Sequence, residues 1–158
     1  MTVRPIAPAD RPTVQRLQVE LWGSEISVGH GVAFRPAELA GFLAEDDGKI
    51  VGMLTYVQPD PTTLEVVTID AMRQHQGIGT VLLDAAMTAA ADLGARRVVL
   101  TTTNDNVDAL RFYQRRGFRL VTLRPGAVHN SRQLKPEIPL TGAYDIPLTD
   151  ELDLERPV

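Results

Sequence analysis

Two short stretches of this 158-residue chain bring together residue types suited to phosphate binding and proton transfer. The first is Gln74-His75-Gln76-Gly77-Ile78-Gly79-Thr80, which lies between a β-branched run and an apolar helical pattern. A helix amino terminus exposes unpaired N–H groups and the positive end of the peptide dipoles, so glycines there let backbone amides close on a diphosphate. Gly77 and Gly79 permit that approach, Gln74 and Thr80 add side-chain donors, and Ile78 anchors the helix start in the core. The same glycines also suit a tight structural turn. No Lys-Ser/Thr pair follows Gly79, and Leu82 holds the third glycine position of the dinucleotide pattern, so nucleotide hydrolysis and hydride transfer fit poorly. In the second stretch, Asn106, Ala109 and Tyr113 are spaced i, i+3, i+7 and share one helical face, with a small residue between an amide and a phenol. Tyr113 is a proton donor in one reading and a packed core phenol with one hydrogen bond in the other. The chain has no cysteine, which removes thiol nucleophiles, thiolate ligands and disulfides together. His30, His75 and His129 stand singly, without metal-ligand spacing, and no metal is expected.

The elements that must position these residues follow from local pattern. Val3-Arg4-Pro5-Ile6 reads as an edge strand. Asp10 then stands as the cap of a helix with Pro12 in its first turn and a stop at Trp22-Gly23. Residues 24–34 show no period and read as a loop, followed by a short helix over residues 35–40. Strands over residues 42–45 and 49–57 flank Asp46-Asp47-Gly48, a hairpin turn. A β-branched strand over residues 63–70 leads into the long helix, whose stripe is Ile78, Leu82, Ala86, Ala89 and Leu93, with Gly94 beyond. The strand over residues 97–103 is reached through that helix, so the two strands should run parallel with a right-handed crossover. Asn106 caps a helix over residues 107–116 that ends at Arg115-Arg116-Gly117, and a strand over residues 118–121 follows. Prolines 125, 136, 139 and 147 punctuate the rest, with a helix near residues 127–134 and a strand near residues 152–154.

Gln74 to Gly79 fits the pattern Q/R-x-x-G-x-G/A, and Asn106 to Phe118 fits N-x-x-A-x-x-x-Y-x-x-x-G-F. Two such blocks in this order, each on the element it requires, resemble the GNAT superfamily of acyl-CoA-dependent N-acyltransferases. The resemblance is looser over residues 3–121. Residues 97–123, with the arm Lys135-Pro136-Glu137-Ile138-Pro139, also look like a bacterial subgroup of it. It implies a single α/β (α+β) domain over residues 1–158: a mixed, mostly antiparallel twisted sheet flanked by helices, with one splayed parallel pair at the cofactor site. Residues 3–123 would form its core and residues 124–158 an arm. Two departures stand out: Gln74 where Arg is commoner, which removes one charged phosphate contact, and Asp70-Ala71 in place of a Pro-containing strand end.

The resemblance implies acetyl-CoA as co-substrate and transfer of acetyl to a primary amine of a small molecule or peptide. Val67, Thr68 and Ile69 would pair with the pantetheine arm and polarise the acetyl carbonyl. Residues Gln74, His75, Gln76, Gly77, Ile78, Gly79 and Thr80 would hold the phosphates, with Asn106 near the arm. Tyr113 would be general acid toward the departing thiolate. Glu65, placed by alternation on the same side as Val67 and Ile69, would be general base, with Glu25 and His30 as lesser candidates. Glu65 equally suits a cross-strand charge pair. Trp22, His30 and Phe34 would line the acceptor pocket, although Trp22 also suits closing the core. Without a cysteine, direct transfer in a ternary complex is expected.

Composition narrows the alternatives. With 44% hydrophobic and 23% charged residues the chain falls in the ordinary globular class. Sixteen Lys+Arg against 20 Asp+Glu, a formal net charge of -4, leave no basic excess for a nucleic-acid backbone. No apolar run of signal-peptide or membrane-spanning length occurs, which points to a cytoplasmic protein without a membrane partner. The acidic residues read as a solvated surface or as an attraction for a cationic amine. Two rival readings remain: a non-catalytic acyl-CoA-binding sensor, and a homodimer-forming role for the Pro-punctuated arm.

Overall fold

Alternation and turn chemistry in the first half of the chain build an antiparallel meander, and the second half adds a crossover and a returning strand. The computed structural model describes residues Met1–Val158. In chain order the elements are β1 (Thr2–Pro5), α1 (Arg11–Trp22), β2 (Ser27–Gly29), β3 (Val32–Phe34), β4 (Ala40–Asp46), β5 (Lys49–Asp60), β6 (Thr63–Ala71), α2 (Ile78–Asp92), β7 (Arg97–Thr103), α3 (Val107–Arg115), β8 (Arg119–Arg124), α4 (Ala127–Leu134) and β9 (Glu151–Pro157). Seven strands form one sheet in the order β1-β4-β5-β6-β7-β9-β8. Only β6 and β7 are parallel, paired from Thr63–Arg97 to Val66–Leu100; every other pair is antiparallel. This is the mixed, mostly antiparallel sheet with one parallel pair that the sequence resemblance implies.

Each sheet face carries its own helices. Ile78, Leu82, Leu83, Ala86 and Ala90 of α2 pack with Leu54, Val66, Leu100, Tyr113 and Leu154 in the larger core. Val14 and Leu17 of α1 pack with Leu43 and Met53 in a smaller core on the opposite face. The buried stripe of α2 therefore ends on Ala90 rather than on Ala89 and Leu93. Successive steps of four residues keep Ala90 over the sheet, whereas Leu93 is the C-cap residue and is 46% exposed.

Four other expectations are corrected. Residues 24–34 are not an irregular loop: β2 and β3 form a hairpin through His30 (φ 41°) and Gly31 (φ 81°), two successive positive-φ residues as tight hairpin turns require. Asp10 does not cap α1; its carboxylate accepts from the Ala7 amide at 2.7 Å and is tied to Arg4. The final strand is longer than three residues and lies inside the sheet, where Leu154 is fully buried between β7 and β8. Alternation along β6 is also interrupted. Val66 opposes Tyr56 and Thr68 opposes Thr55, leaving Val67 as the extra residue of a bulge. Glu65 consequently shares a face with Thr68 and Asp70, while Ile69 points to the α2 side. A 2.7 Å hydrogen bond between the Thr55 and Thr68 hydroxyls fixes the strand just past the bulge.

At Gly52 the side chains of α2 press directly on β5, because a Cβ there would collide with Ile78 and meet Asp70 O and Leu82 Cδ1, both at 3.0 Å. Gly52→Ala should lower stability by about 1–3 kcal/mol through overpacking, read from the urea midpoint; an unchanged midpoint would show that α2 shifts freely on the sheet.

Candidate functional site

Beyond Val66 and Leu100 the parallel strands separate, each still held by its outer neighbour, and a cavity of about 620 Å³ opens through the sheet. One wall carries Val67, Thr68 and Ile69 of β6; another carries Thr101 of β7 together with Asn106 and Tyr113 of α3. Gln18 and Trp22 of α1, Val28 of β2, and Ser131, Lys135 and Ile138 from the last quarter of the chain close the far side. The bulge turns main-chain groups of β6 toward this space, where no neighbouring strand takes them.

Asn106 does what its position suggests: its Oδ1 accepts from the Ala109 amide at 3.4 Å, and its Nδ2 donates to Thr102 Oγ1 at 3.3 Å. Tyr113 is 6% exposed, edge-on to Phe112 and Phe118, with ring centroids 5.3 and 5.6 Å away. Burial first, and the negative charge of Asp70 second, raise its hydroxyl well above the ordinary phenol range, so it stays protonated. Asp70 itself is covered by Trp22, whose indole N–H donates to Oδ1 at 3.0 Å, while Oδ2 has no partner. Burial pushes this carboxyl up from 3.8 to about 6, against the Trp22 hydrogen bond.

The loop before α2 has Gly77 as N-cap at φ 74° and His75 at φ 60°. Ile78 is 2% exposed in the core. Gly79 packs tightly against α3: a Cβ there would sit 3.0 Å from Phe112 Cζ, so the ring would have to give by a few tenths of an ångström. Gln74 turns back on its own loop toward Ala71 O, at 3.5 Å, and Gln76 is exposed. Thr80 Oγ1 accepts two hydrogen bonds from Arg116, from Nε at 3.0 Å and Nη2 at 2.7 Å. Arg116 also donates to Phe112 O at 3.0 Å and stacks 3.8 Å over the Phe112 ring. Sequence reading took Arg116 only as a helix end; its place after Tyr113 and before Gly117, one turn past Phe112, was the available signal.

Glu65 and His30 meet, with Nε2 to Oε2 at 2.8 Å, and Phe34 lies edge-on to His30 at 5.9 Å. This pair lines a second hollow of about 290 Å³ that shares Leu100 and Thr101 with the main cavity; neither residue lines the cavity itself. Asp153 belongs to the same hollow. Although burial opposes its charge, hydrogen bonds from Arg124 and Thr101 and the proximity of Arg124 and His30 hold it below the ordinary carboxyl range. Glu25 lies away from both, paired with Gln15 and Arg35. The chain thus gathers Trp22, Val67, Thr68, Ile69, Asn106 and Tyr113 around one cavity, sets Glu65, His30 and Phe34 beside it, and presents the glycine loop as a separate surface.

A sheet with one parallel pair, followed by a glycine-opened helix, is an arrangement this chain shares with characterised families of proteins. Residues 8–118 match the acetyltransferase (GNAT) family, and the chain belongs to that family. It is 37% identical over 157 residues to the uncharacterized protein YxbD of Bacillus subtilis (strain 168), covering 99% of this chain and 98% of the relative. Among solved structures, an IAA acetyltransferase from Bacillus cereus ATCC 14579 superposes with a TM-score of 0.73 at 20% identity, covering 99% of both chains. A GNAT family acetyltransferase from Elizabethkingia anophelis with acetyl-CoA bound superposes with a TM-score of 0.71 at 21% identity, covering 99% of this chain and 97% of the other. No helix is long and apolar enough to cross a membrane.

The Asp70 carboxyl yields a signed pH dependence. Its folded-state pKa lies above its unfolded value, so the stability it contributes is fully present below pH 3.8 and is lost as pH rises through about 6. Asp70→Asn should therefore stabilise the protein at pH 8 by on the order of 2 kcal/mol, with little difference at pH 4. Equal urea-unfolding differences at the two pH values would remove the assignment.

Proposed function

We propose that the chain is an N-acetyltransferase that moves acetyl from acetyl-CoA directly to a primary amine. The observation that carries this reading is the cavity at the splay, with the bulged β6 backbone on one side and the buried, protonated Tyr113 on the other. The N–H groups opening α2 would hold the diphosphate, assisted by the hydroxyl of Thr80. That hydroxyl accepts from Arg116 and so keeps its own proton free to donate. Arg116 brings to the loop a fixed positive charge in place of the one that Gln74 lacks. The pantetheine arm would lie along Val67, Thr68 and Ile69 like an added strand, its thioester carbonyl polarised by a main-chain N–H near the bulge.

In the reaction the neutral amine attacks the acetyl carbon, the C–N bond forms, and the C–S bond breaks. The amine loses a proton to solvent or to the His30–Glu65 pair, and the sulfur gains one. A thiolate is a weaker base than this phenolate, given the ordinary thiol value of about 8.5. Tyr113 therefore acts chiefly as a hydrogen-bond donor that steadies charge on sulfur, and full transfer requires a proton to reach the phenol in the same step. With no cysteine to carry the acetyl, no covalent enzyme intermediate is needed.

Tyr113→Phe should lower kcat for thiol release by roughly 10–100-fold while leaving calorimetric coenzyme A binding in place. Glu65→Gln should lower kcat/KM most at neutral pH, where the acceptor is mainly ammonium. Unchanged turnover in both variants would discard these roles. A folded protein that binds acetyl-CoA yet acetylates none of a broad panel of amines and peptides would instead be a thioester sensor.

A further inference from the structure

The main cavity contains two buried polar side chains that the protein leaves unpartnered. Gln18 of α1 is 1% exposed, and its Oε1 has no hydrogen-bond partner. Lys135, which follows α4, is 8% exposed and lines the same cavity. Its ammonium forms no hydrogen bond or ion pair within the chain; burial lowers its pKa, and Glu137 opposes that only through space. Asp70, under Trp22 beside the cavity, keeps one unpartnered oxygen, but the buried carboxylates that line the cavity are matched. Asp105 accepts from Thr103 Oγ1 at 2.6 Å and from the Ala143 amide at 2.9 Å. Glu151 accepts from Arg124 at 3.3 Å and from Ser131 at 3.4 Å.

Buried polar atoms in a folded protein are nearly always satisfied, which Gln18 Oε1 is not. The Lys135 ammonium opens onto the cavity with no anion paired to it, so an anionic ligand there would replace solvent it has partly lost. An orphaned cation and an orphaned acceptor around one cavity are complementary to a ligand that carries an anion and an N–H group together. Gln18 comes from α1 and Lys135 from the arm, and both line the cavity with Val67, Thr68 and Ile69, whereas the segment before α2 does not line it. Lys135 is the only lysine or arginine lining the cavity, so one positive charge is offered there, which matches a monoanion in charge.

We infer that the acceptor is a small amino carboxylate, whose carboxylate is held by Lys135 and one of whose amine N–H bonds is accepted by Gln18 Oε1. This rests on the acetyltransferase reading above and narrows its acceptor class. The arm then acts as a selectivity element: removing the acceptor's charge should cost binding even when its amine is untouched.

The test uses the full chain, saturating acetyl-CoA, and matched pairs of free amino acids and their carboxamides in a thiol-release assay. The wild type should prefer the free acids by about tenfold or more in kcat/KM. Lys135→Met should abolish that preference mainly through KM, Lys135→Arg should retain part of it, and Gln18→Leu should raise KM for the acids. Indifference of the wild type to the carboxylate, or equal losses on acid and carboxamide in Lys135→Met, would overturn the inference and leave acetyl transfer standing. Calorimetric titration of coenzyme A reports whether the variants fold and which anion the lysine serves; a matching loss of coenzyme A affinity in Lys135→Met would assign it to the cofactor and also overturn the inference. If no amine is turned over, the acetyltransferase reading falls. Calorimetry of the same acid and carboxamide pairs then decides separately, with selective binding of acids supporting the site and equal or absent binding rejecting it.

Discussion

Parallel pairing between β6 and β7 stops at Val66–Leu100, and the site is organised around that interruption. A strand inside a sheet normally satisfies its N–H and C=O groups on both edges. Here each of the two strands keeps only its outer partner past this point, β5 for β6 and β9 for β7. The result is an unpaired strand edge inside the molecule, where a segment of ligand can take the place of a neighbouring chain. The bulge at Val67 makes this possible without unravelling β6. It absorbs one residue, re-aims the next three, and is fixed at once by the buried Thr55–Thr68 hydrogen bond.

The gap stays open because its two sides are anchored independently. β9 pairs with β7 along its whole length, from Arg97–Pro157 to Thr103–Glu151, and on its other edge with β8. The end of the chain thus braces the far side of the cleft. Its acidic side chains fit that role: Asp153 and Glu151 bind Arg124, and Glu155 binds Arg97. Glu151 also accepts from the His30 amide at 3.2 Å, tying the β2–β3 turn to the same brace. The hairpin that carries His30 toward Glu65 is therefore held from the carboxy-terminal strand, far away in sequence.

Much of this was legible before any coordinates. The helix α3 falls where capping puts it, because Asn106 at an N-cap and glycine after a helix act through local backbone chemistry; β7 falls where its β-branched run lies, and α4 between the prolines that punctuate its segment. The family and its sheet followed from two motif blocks. What escaped was either too short to show a period or had no compositional mark. The strands β2 and β3 have three residues each, so alternation cannot declare itself. The segment Glu151-Leu152-Asp153-Leu154-Glu155 does alternate, but its charges resemble a solvated tail until Arg124 and Arg97 are seen opposite them. The bulge is a backbone event in a run of apolar and β-branched residues, and it reversed the face inferred for Ile69 relative to Glu65. Lys135 and Gln18 were invisible as a pair because nothing in sequence links α1 to the end of α4.

Arg116 shows how the fold makes good a weakness read in the loop. Gln74 lacks the charge that a phosphate-binding loop commonly carries, and its amide folds back on Ala71. Arg73, the nearest cation in sequence, is engaged by Asp46 at 3.0 Å. Arg116 instead reaches the first turn of α2 from the end of α3, where Thr80, the Phe112 carbonyl and the Phe112 ring all hold it. A guanidinium fixed by three contacts has already lost its rotamer freedom, so an arriving anion need not order it. The same Phe112 fills the space that Gly79 leaves. The second glycine of the loop thereby sets the distance between α2 and α3, and with it the position of the positive charge beside the loop.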